Sequence, residues 1–520
     1  MEPINNNSFN TGSNLSPPEG TRLGTREGNN AGRTITVADK EKKKNTSLRD
    51  LSSLSLSMIF SYLKLRDIRS LELTCTYLHA AVKKDNALAK AWYHQFSSPH
   101  QYQLRMTITT KNENQLHDWL KSFTNDKALI DSLMERRHCS VHVPAVLYFT
   151  KTKLMSGCNT FKLVTKAIIN ENTRVNSAAL SADGRHLVTA CVYEPAKIYS
   201  IKTDGSWVKK TIIPHDNPVA SAIFSLDGEY VVTASWDGTA KIYGLGRDDT
   251  WKQKAIISNE YSVYSASFST DGHHVVTAGL DATAKIHSQK TDGSWKLTAT
   301  LTHNKSVESA NFSTDGRYVV TASYENRAKI YCQQTDGSWK NTGTIPHNDA
   351  VISASFSPDG CHVVTASMDF SAKVYGQKTD GSWEKKGTIS HSGAVNSARF
   401  SPDSRFVVTA SRDGTAKIYS HTANGSWKEK VIIYHKYWVL SATFSPDGRH
   451  VVTASMDRTA KIIGQQDDGS WLEKASISHK GKVLSATFSA DGSHVVTASD
   501  DGIVKVTELQ VSDSLFAVTE

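Results

Sequence analysis

One phrase recurs through the larger part of this chain at an unvarying interval. The pattern (Phe/Leu)-Ser-x-Asp-(Gly/Ser) starts at Leu180, Phe224, Phe268, Phe312, Phe356, Phe400, Phe444 and Phe488, each step being 44 residues with no insertion. Trp207, Trp251, Trp295, Trp339, Trp383, Trp427 and Trp471 keep the same step. So do Lys197, Lys241, Lys285, Lys329, Lys373, Lys417, Lys461 and Lys505. A fixed period of this length means that one supersecondary unit has been copied, and that each copy buries its apolar surface on its neighbours.

Inside one unit the strands and turns are legible. Val219 to Phe224 reads as a short strand closed by the turn Leu226-Asp227-Gly228. Tyr230–Ser235 is a β-branched strand, Trp236-Asp237-Gly238 a tight turn, and Thr239–Tyr243 a third strand. Asp204-Gly205 turns into a fourth strand, Trp207–Ile213. Four short strands with regular turn signals, repeated, predict the blades of a β-propeller. The array begins with a lone fourth-type strand, about Phe161–Ile169, with Leu163 where the others have Trp. It ends with three strands, Val483 to about Val506. The lone strand completes the last blade, which closes the ring and removes its edges. The expectation is an all-β, eight-bladed propeller over 161–509, with the tail 510–520 a competitor for the closing edge.

The remainder divides by composition. Residues 1–46 are rich in Asn, Ser, Thr, Gly and charge, too poor in apolar side chains to offset ordering entropy, and are expected to be a disordered tail. Its run Lys40–Lys44 reads as a solvated charge run. From 47 to 96, Leu51, Leu54, Met58, Ile59 and Leu63 recur at helical spacing, and Asp67 caps a second helix carrying Ile68, Leu71 and Cys75. Residues 97–160 form a helical connector: Leu116, Trp119, Leu120 and Phe123 make one apolar face, and Leu129, Ile130, Leu133 and Met134 the next. An extended piece is expected near Val143–Leu154.

The repeat units resemble WD repeats. A His stands before the first strand in His215, His303, His347, His391, His435 and His479, and an Asp in the second turn in Asp237, Asp281, Asp369, Asp413, Asp457 and Asp501. The resemblance implies a hydrogen-bond network of His, Asp and a hydroxyl inside each blade. The family's Trp-Asp ending is Ile-Tyr or similar here, as at Ile242-Tyr243. The first unit has Glu171 and Tyr193 at the two positions, the third Asn259 and the fourth Glu325, so these blades are expected to be less rigid.

Residues 48–96 resemble an F-box through Leu51, Leu54, Ile59, Phe60, Ser61, Tyr62, Leu63, Asp67, Ile68, Leu71, Cys75 and Trp92. Ser52 and Leu78 depart from the family's Leu-Pro opening and its later Trp. The order F-box, connector, propeller is similar to the substrate receptors of Skp–cullin–F-box ubiquitin ligases. It implies that Leu51, Leu54, Ile59, Phe60, Leu63, Ile68 and Leu71 dock a Skp-type adaptor and the cullin core, while the propeller holds a target protein. The alternative is an interaction scaffold with a degenerate F-box. The near identity of the units resembles bacterial repeat proteins, so a bacterial chain of this kind is expected to act in a host cytoplasm.

Chemistry is conspicuous by what the sequence lacks. It has no P-loop, GxSxG, HExxH or CxxC, so no nucleophile, acid–base pair, metal site or cofactor is expected, and the protein reads as a non-enzyme. The periodic histidines stand one per blade around a wide ring and cannot converge on one ion. Cys75, Cys139, Cys158, Cys191, Cys332 and Cys361 fit neither a disulfide framework nor a zinc site and read as reduced thiols in the cytoplasm. No apolar run is long enough to span a membrane, and MEPINNNSFN has no secretory h-region. The net charge of +9 is spread along the chain, so no nucleic-acid partner is expected.

Against so regular a frame the variable positions stand out. They follow the His, follow the opening Val of the first strand, and precede the turn Asp. The WD resemblance puts them on one rim. Arg174, Arg412, Lys436, Arg458, Lys480 and Lys482, with Tyr437 and Trp438, come from units that adjoin in a closed ring. Asp216, Glu260, Glu308, Glu325 and Asp349 come from the others. The expectation is a basic, aromatic sector that binds an acidic or phosphorylated target segment, beside an acidic sector.

Overall fold

The computed structural model describes residues 86–135, 143–422 and 425–511. The adaptor-docking positions Leu51, Leu54, Ile59, Phe60, Leu63, Ile68 and Leu71 lie outside the described residues, as do Cys75 and Cys139.

The period of the sequence becomes a ring of eight four-stranded antiparallel sheets. In blades 1 to 7 the four strands are consecutive: blade 2, for example, is Val219–Phe224, Tyr230–Ser235, Thr239–Leu245 and Trp251–Ser258. Blade 8 is built from both ends of the array. Phe161–Asn170 lies antiparallel to the last strand, Ile503–Val511, with Leu163 opposite Leu509 and Ile169 opposite Val504. Gln510 and Val511 extend that last strand rather than compete with the closing one.

The repeated Trp seals blade against blade. Trp251 of blade 2 packs at 5.9 Å on its own Phe224 and edge-on at 5.5 Å on His186 of blade 1. Trp295 meets Phe268 and Tyr230 in the same way. By register Leu163 holds the Trp position of blade 8, but the aromatic wedge comes from Phe161, whose ring lies 5.4 Å from His450 of blade 7. Each blade core is a Val, Ile and Ala cluster shared with its neighbour, such as Val320, Ala322, Ile330, Val351 and Val363.

Among the described residues, five helices precede the ring: α1 (Ala87–His94), α2 (Ser98–Thr109), α3 (Glu113–Lys121), α4 (Lys127–Glu135) and α5 (Val143–Gly157). A capping box starts α3, with Gln115 N donating to Asn112 Oδ1 at 2.9 Å and Asn112 N to Gln115 Oε1 at 3.0 Å. The two expected apolar faces are buried, through Leu116, Trp119, Leu120, Phe123, Ile130 and Leu133. The extended piece expected near Val143–Leu154 is instead helix α5. Ala145, Leu147, Tyr148, Lys151, Thr152, Met155 and Ser156 are all buried, so the helix has no polar stripe to reveal its period.

The helices are not a free connector. Trp92, Leu104, Trp119, Tyr148 and Met155 belong to one apolar core with Val452, Ile477, Val483 and Leu509 of blades 7 and 8. Polar ties reinforce the junction. Lys111 Nζ lies 3.3 Å from Asp491 Oδ2, Lys151 donates to the Asp491 carbonyl, and Thr152 donates to Asp447 at 3.3 Å. Burial alone would raise the Asp491 carboxyl, yet Lys111 and Lys151 hold it well below the usual range.

Candidate functional site: one face of the propeller

The two faces of the ring are made of different loops. The lower face carries the turns between first and second strands, and α2 crosses it. His100 Nε2 is 2.7 Å from the Pro446 carbonyl of blade 7. Ser98 and Tyr102 face turns of blades 2, 3 and 4 across a cavity of about 470 Å³ lined by Leu226, Asp271 and Asp315 among others. Gln103 faces Ala179, Ile223 and Phe268 across another. Helix α2 thereby lies over part of this face.

The upper face carries the loops that enter each first strand and the turns between second and third strands. The His and Asp positions tie these together. His215 Nδ1 donates to Asp237 at 2.7 Å, and its Nε2 lies 2.8 Å from Thr233 Oγ1. His347 with Asp369 and Thr365, His391 with Asp413 and Thr409, and His435 with Asp457 and Thr453 repeat this at 2.8–2.9 Å. In blade 8 the His479–Asp501 separation is 3.4 Å. Burial lowers the pKa of these histidines, so the rings are neutral.

The odd blades are built differently from what the repeat suggests. Glu171 of blade 1 is fully buried and accepts from Thr189 at 2.6 Å, Lys197 at 2.7 Å and Tyr199 at 3.0 Å. In blade 4, Glu325 sits 2.8 Å from His303 and 3.0 Å from Lys329. Both blades are therefore cross-linked as fully as the others, contrary to the expectation of looser packing. Glu325 is a network residue and not part of an acidic rim. In blade 3, where Asn259 replaces the His, Asp281 accepts from Thr283 Oγ1 at 2.7 Å and pairs with Lys285 at 3.1 Å, while the Asn259 side-chain oxygen is buried and unpartnered.

On this frame the variable residues are presented outward. Arg174, Lys436, Arg458, Lys480 and Lys482 are exposed, and among the described residues their charged groups make no ion pair. Arg412 is half-buried: its Nε donates to Asn396 Oδ1 at 3.0 Å and its guanidinium lies 5.0 Å from the Trp438 ring centroid. Tyr437 and Trp438 are exposed beside it. Asp216, Glu260 and Asp349 are exposed on the other sector. Lys305, in the loop entering blade 4, is exposed among them, so this sector is mixed in charge.

Trp236, Tyr261 and Leu280 stand among the variable rim positions of the sequence, but the reading there followed charge and did not join them into a surface. The same face exposes Tyr193, Trp236, Tyr261, Leu280 and Phe370, so an aromatic and apolar collar runs over both sectors. Phe370 and Arg458 also have left-handed backbone, φ 68° and 74°, where blades 2, 6 and 8 use Gly238, Gly414 and Gly502. A bulky residue in that conformation is strained, and strain of this kind collects at functional surfaces. Comparing each unit at the residue after the turn Asp would have revealed both. Arg399 was also missed: it is exposed on an innermost strand, Val395–Phe400, and therefore stands in the channel.

With this geometry, the comparisons with known proteins agree. Residues 206–244 and 251–288 match the WD domain, G-beta repeat, and residues 292–514 match the TolB beta propeller domain. The chain thus carries WD40 repeats closed into an eight-bladed propeller. No curated protein matches it. Among solved structures it is similar to Sqt1 from Chaetomium thermophilum, at 16% identity over 67% of this chain and 100% of that one, with a TM-score of 0.58. Sqt1 from Saccharomyces cerevisiae gives 14% identity over 68% and 100%, with a TM-score of 0.57. The Chaetomium thermophilum protein bound to the N-terminus of ribosomal protein L10 gives 16%, 68%, 100% and 0.57. The likeness is one of fold. No helix among the described residues is long and apolar enough to cross a membrane.

Proposed function

We propose that this protein is a non-catalytic interaction scaffold that binds a segment of a partner protein across the upper face of its propeller. The collar of exposed aromatic and apolar side chains on that face carries the reading, since such a patch on an otherwise polar rim marks a protein contact. Part of the opposite face is occupied by the chain's own α2. A propeller of this fold, Sqt1, has been solved with the N-terminus of another protein bound, which supports a peptide-like ligand. The basic sector of Arg174, Arg412, Lys436, Arg458, Lys480 and Lys482, with Tyr437 and Trp438, suits an acidic or phosphorylated stretch of that segment. The test is titration with short acidic and phosphorylated peptides, wild type against the triple variant Arg412→Ala, Lys436→Ala, Lys480→Ala. Weaker and less salt-dependent binding by the variant supports the reading, and equal binding overturns the sector assignment.

The F-box-like spacing over 47–96 supports a second reading, in which those residues also dock a Skp-type adaptor and the propeller presents its partner to a cullin ligase in the cytoplasm. A pull-down with such an adaptor decides it. Binding lost on changing Leu51, Ile59 and Phe60 to Ala supports docking; no binding by wild type leaves the scaffold alone.

A further inference from the structure

Every blade carries the same irregularity at the upper end of its innermost strand. The ladder between first and second strands skips one residue, immediately after the opening Val, in all eight blades. A bulge at this point re-aims the skipped side chain. The skipped residues are Asn176, Ala220, Tyr264, Glu308, Ile352, Asn396, Leu440 and Leu484, all half-buried around the channel mouth. Asn176 and Asn396 are spent on the wall, each donating to a carbonyl of the next blade, Val219 O at 2.9 Å and Val439 O at 2.8 Å.

Glu308 is the only ionisable carboxylate in this ring. Among the described residues it makes no hydrogen bond and no ion pair, and burial raises its pKa to about 7. Tyr264, next in the ring, and Tyr324, at the turn of the same blade, stand close to it. Burial first, and the Glu308 charge second, raise both phenols. Arg412, the cation that acts on Tyr324, is already held by Asn396 and Trp438. The acids of the His–Asp network positions have fixed partners, whereas among the described residues Glu308 is a carboxylate without a counter-charge beside Tyr264 and Tyr324.

We propose that the channel mouth is a socket for one lysine or arginine side chain of the bound segment, with Glu308 as its counter-charge and Tyr264 and Tyr324 as its walls. Carboxylate and aromatic faces both favour a cation over a neutral side chain. This rests on the peptide-binding reading of the upper face and adds a second, oppositely charged anchor to it.

The experiment is a random-peptide display selection on the full chain. Recovered peptides sharing one basic residue support the socket. Replacing that residue with norleucine in a synthetic peptide, or making Glu308→Gln, should each weaken binding on the order of 30-fold, with little further loss when combined. Glu308 has no partner to lose and its charge is desolvated, so the variant's melting temperature should be no lower than that of wild type. Recovered peptides with no shared basic residue, or equal affinity for Glu308→Gln, overturn the socket while leaving the face reading intact. Recovery of no peptide by wild type overturns both.

Discussion

Arg412 of blade 6 and Trp438 of the loop entering blade 7 are stacked, the guanidinium carbon 5.0 Å from the ring centroid. The contact joins two blades and fixes a charged group in the middle of the basic sector. Trp438→Ala should free Arg412 and cost acidic peptides about 1 kcal/mol of affinity beyond any direct contact. Isothermal titration of Trp438→Ala, Arg412→Ala and the double variant measures the coupling. Strict additivity would mean that the stack positions nothing.

Glu171 replaces the repeat's His with a buried anion against Lys197 at 2.7 Å. Breaking a buried pair by removing one partner leaves the other charge uncompensated. Glu171→Gln should therefore cost roughly 3 kcal/mol of unfolding free energy. Urea denaturation followed by Trp fluorescence reports it, and a midpoint equal to wild type would contradict the assigned role.

Phe370 and Arg458 hold left-handed backbone where sister blades have Gly. Phe370→Gly and Arg458→Gly should each stabilise the fold by roughly 1 kcal/mol while weakening partner binding. Calorimetry paired with the peptide titration separates the effects. Loss of stability in either variant would show that the side chain serves packing, not contact.

The His–Asp network sets the response to acid. Burial lowers the histidines, His303 to about 4, while the unfolded chain takes up the proton near 6.5. Burial alone would raise Asp237, Asp369 and Asp413, but hydrogen bonds from Thr239, Ser371 and Thr415 and from the histidines bring them to about 2. In both cases the unfolded state binds more protons at acid pH. Stability should be full above about pH 6.5, fall between about 6.5 and 4 as unfolded histidines charge, and fall again as the carboxylates protonate. Urea midpoints across this range check the profile, and a flat profile would contradict it.

Ring closure depends on Phe161–Asn170. A chain starting at Glu171 should expose the edge of Ile503–Val511 and self-associate. Adding back residues 86–170 as a separate chain, which supplies both the closing strand and the helices packed on blades 7 and 8, should reverse this in light scattering. A monodisperse truncated chain would show that closure is not limiting.

The propeller was legible because a repeat states its rule eight times: strand limits and the closing strand follow from spacing, and the His–Asp pairs are what the WD resemblance implies. What failed was what the repeat does not encode. Val143–Gly157 looked extended because a helix buried on most sides shows no amphipathic period. Glu171 and Glu325 looked like defects because spacing does not show that a longer acid reaches the blade's own Lys, Lys197 or Lys329. The acidic sector was read by charge alone, which could not separate Glu325, inside a network, from Glu308, unpartnered at the channel mouth. Phe370 was hidden because the turn was read by its Asp and not by the residue that follows.

The central claim is that partners bind across the upper face. Photo-crosslinking amino acids placed singly at Tyr261 and Tyr437 on that face, and at Lys209 on an outermost strand, test it with a peptide recovered by selection. Crosslinks from Tyr261 and Tyr437 but not from Lys209 are the predicted result; crosslinking from Lys209 alone would place the contact on the propeller's side and contradict the account.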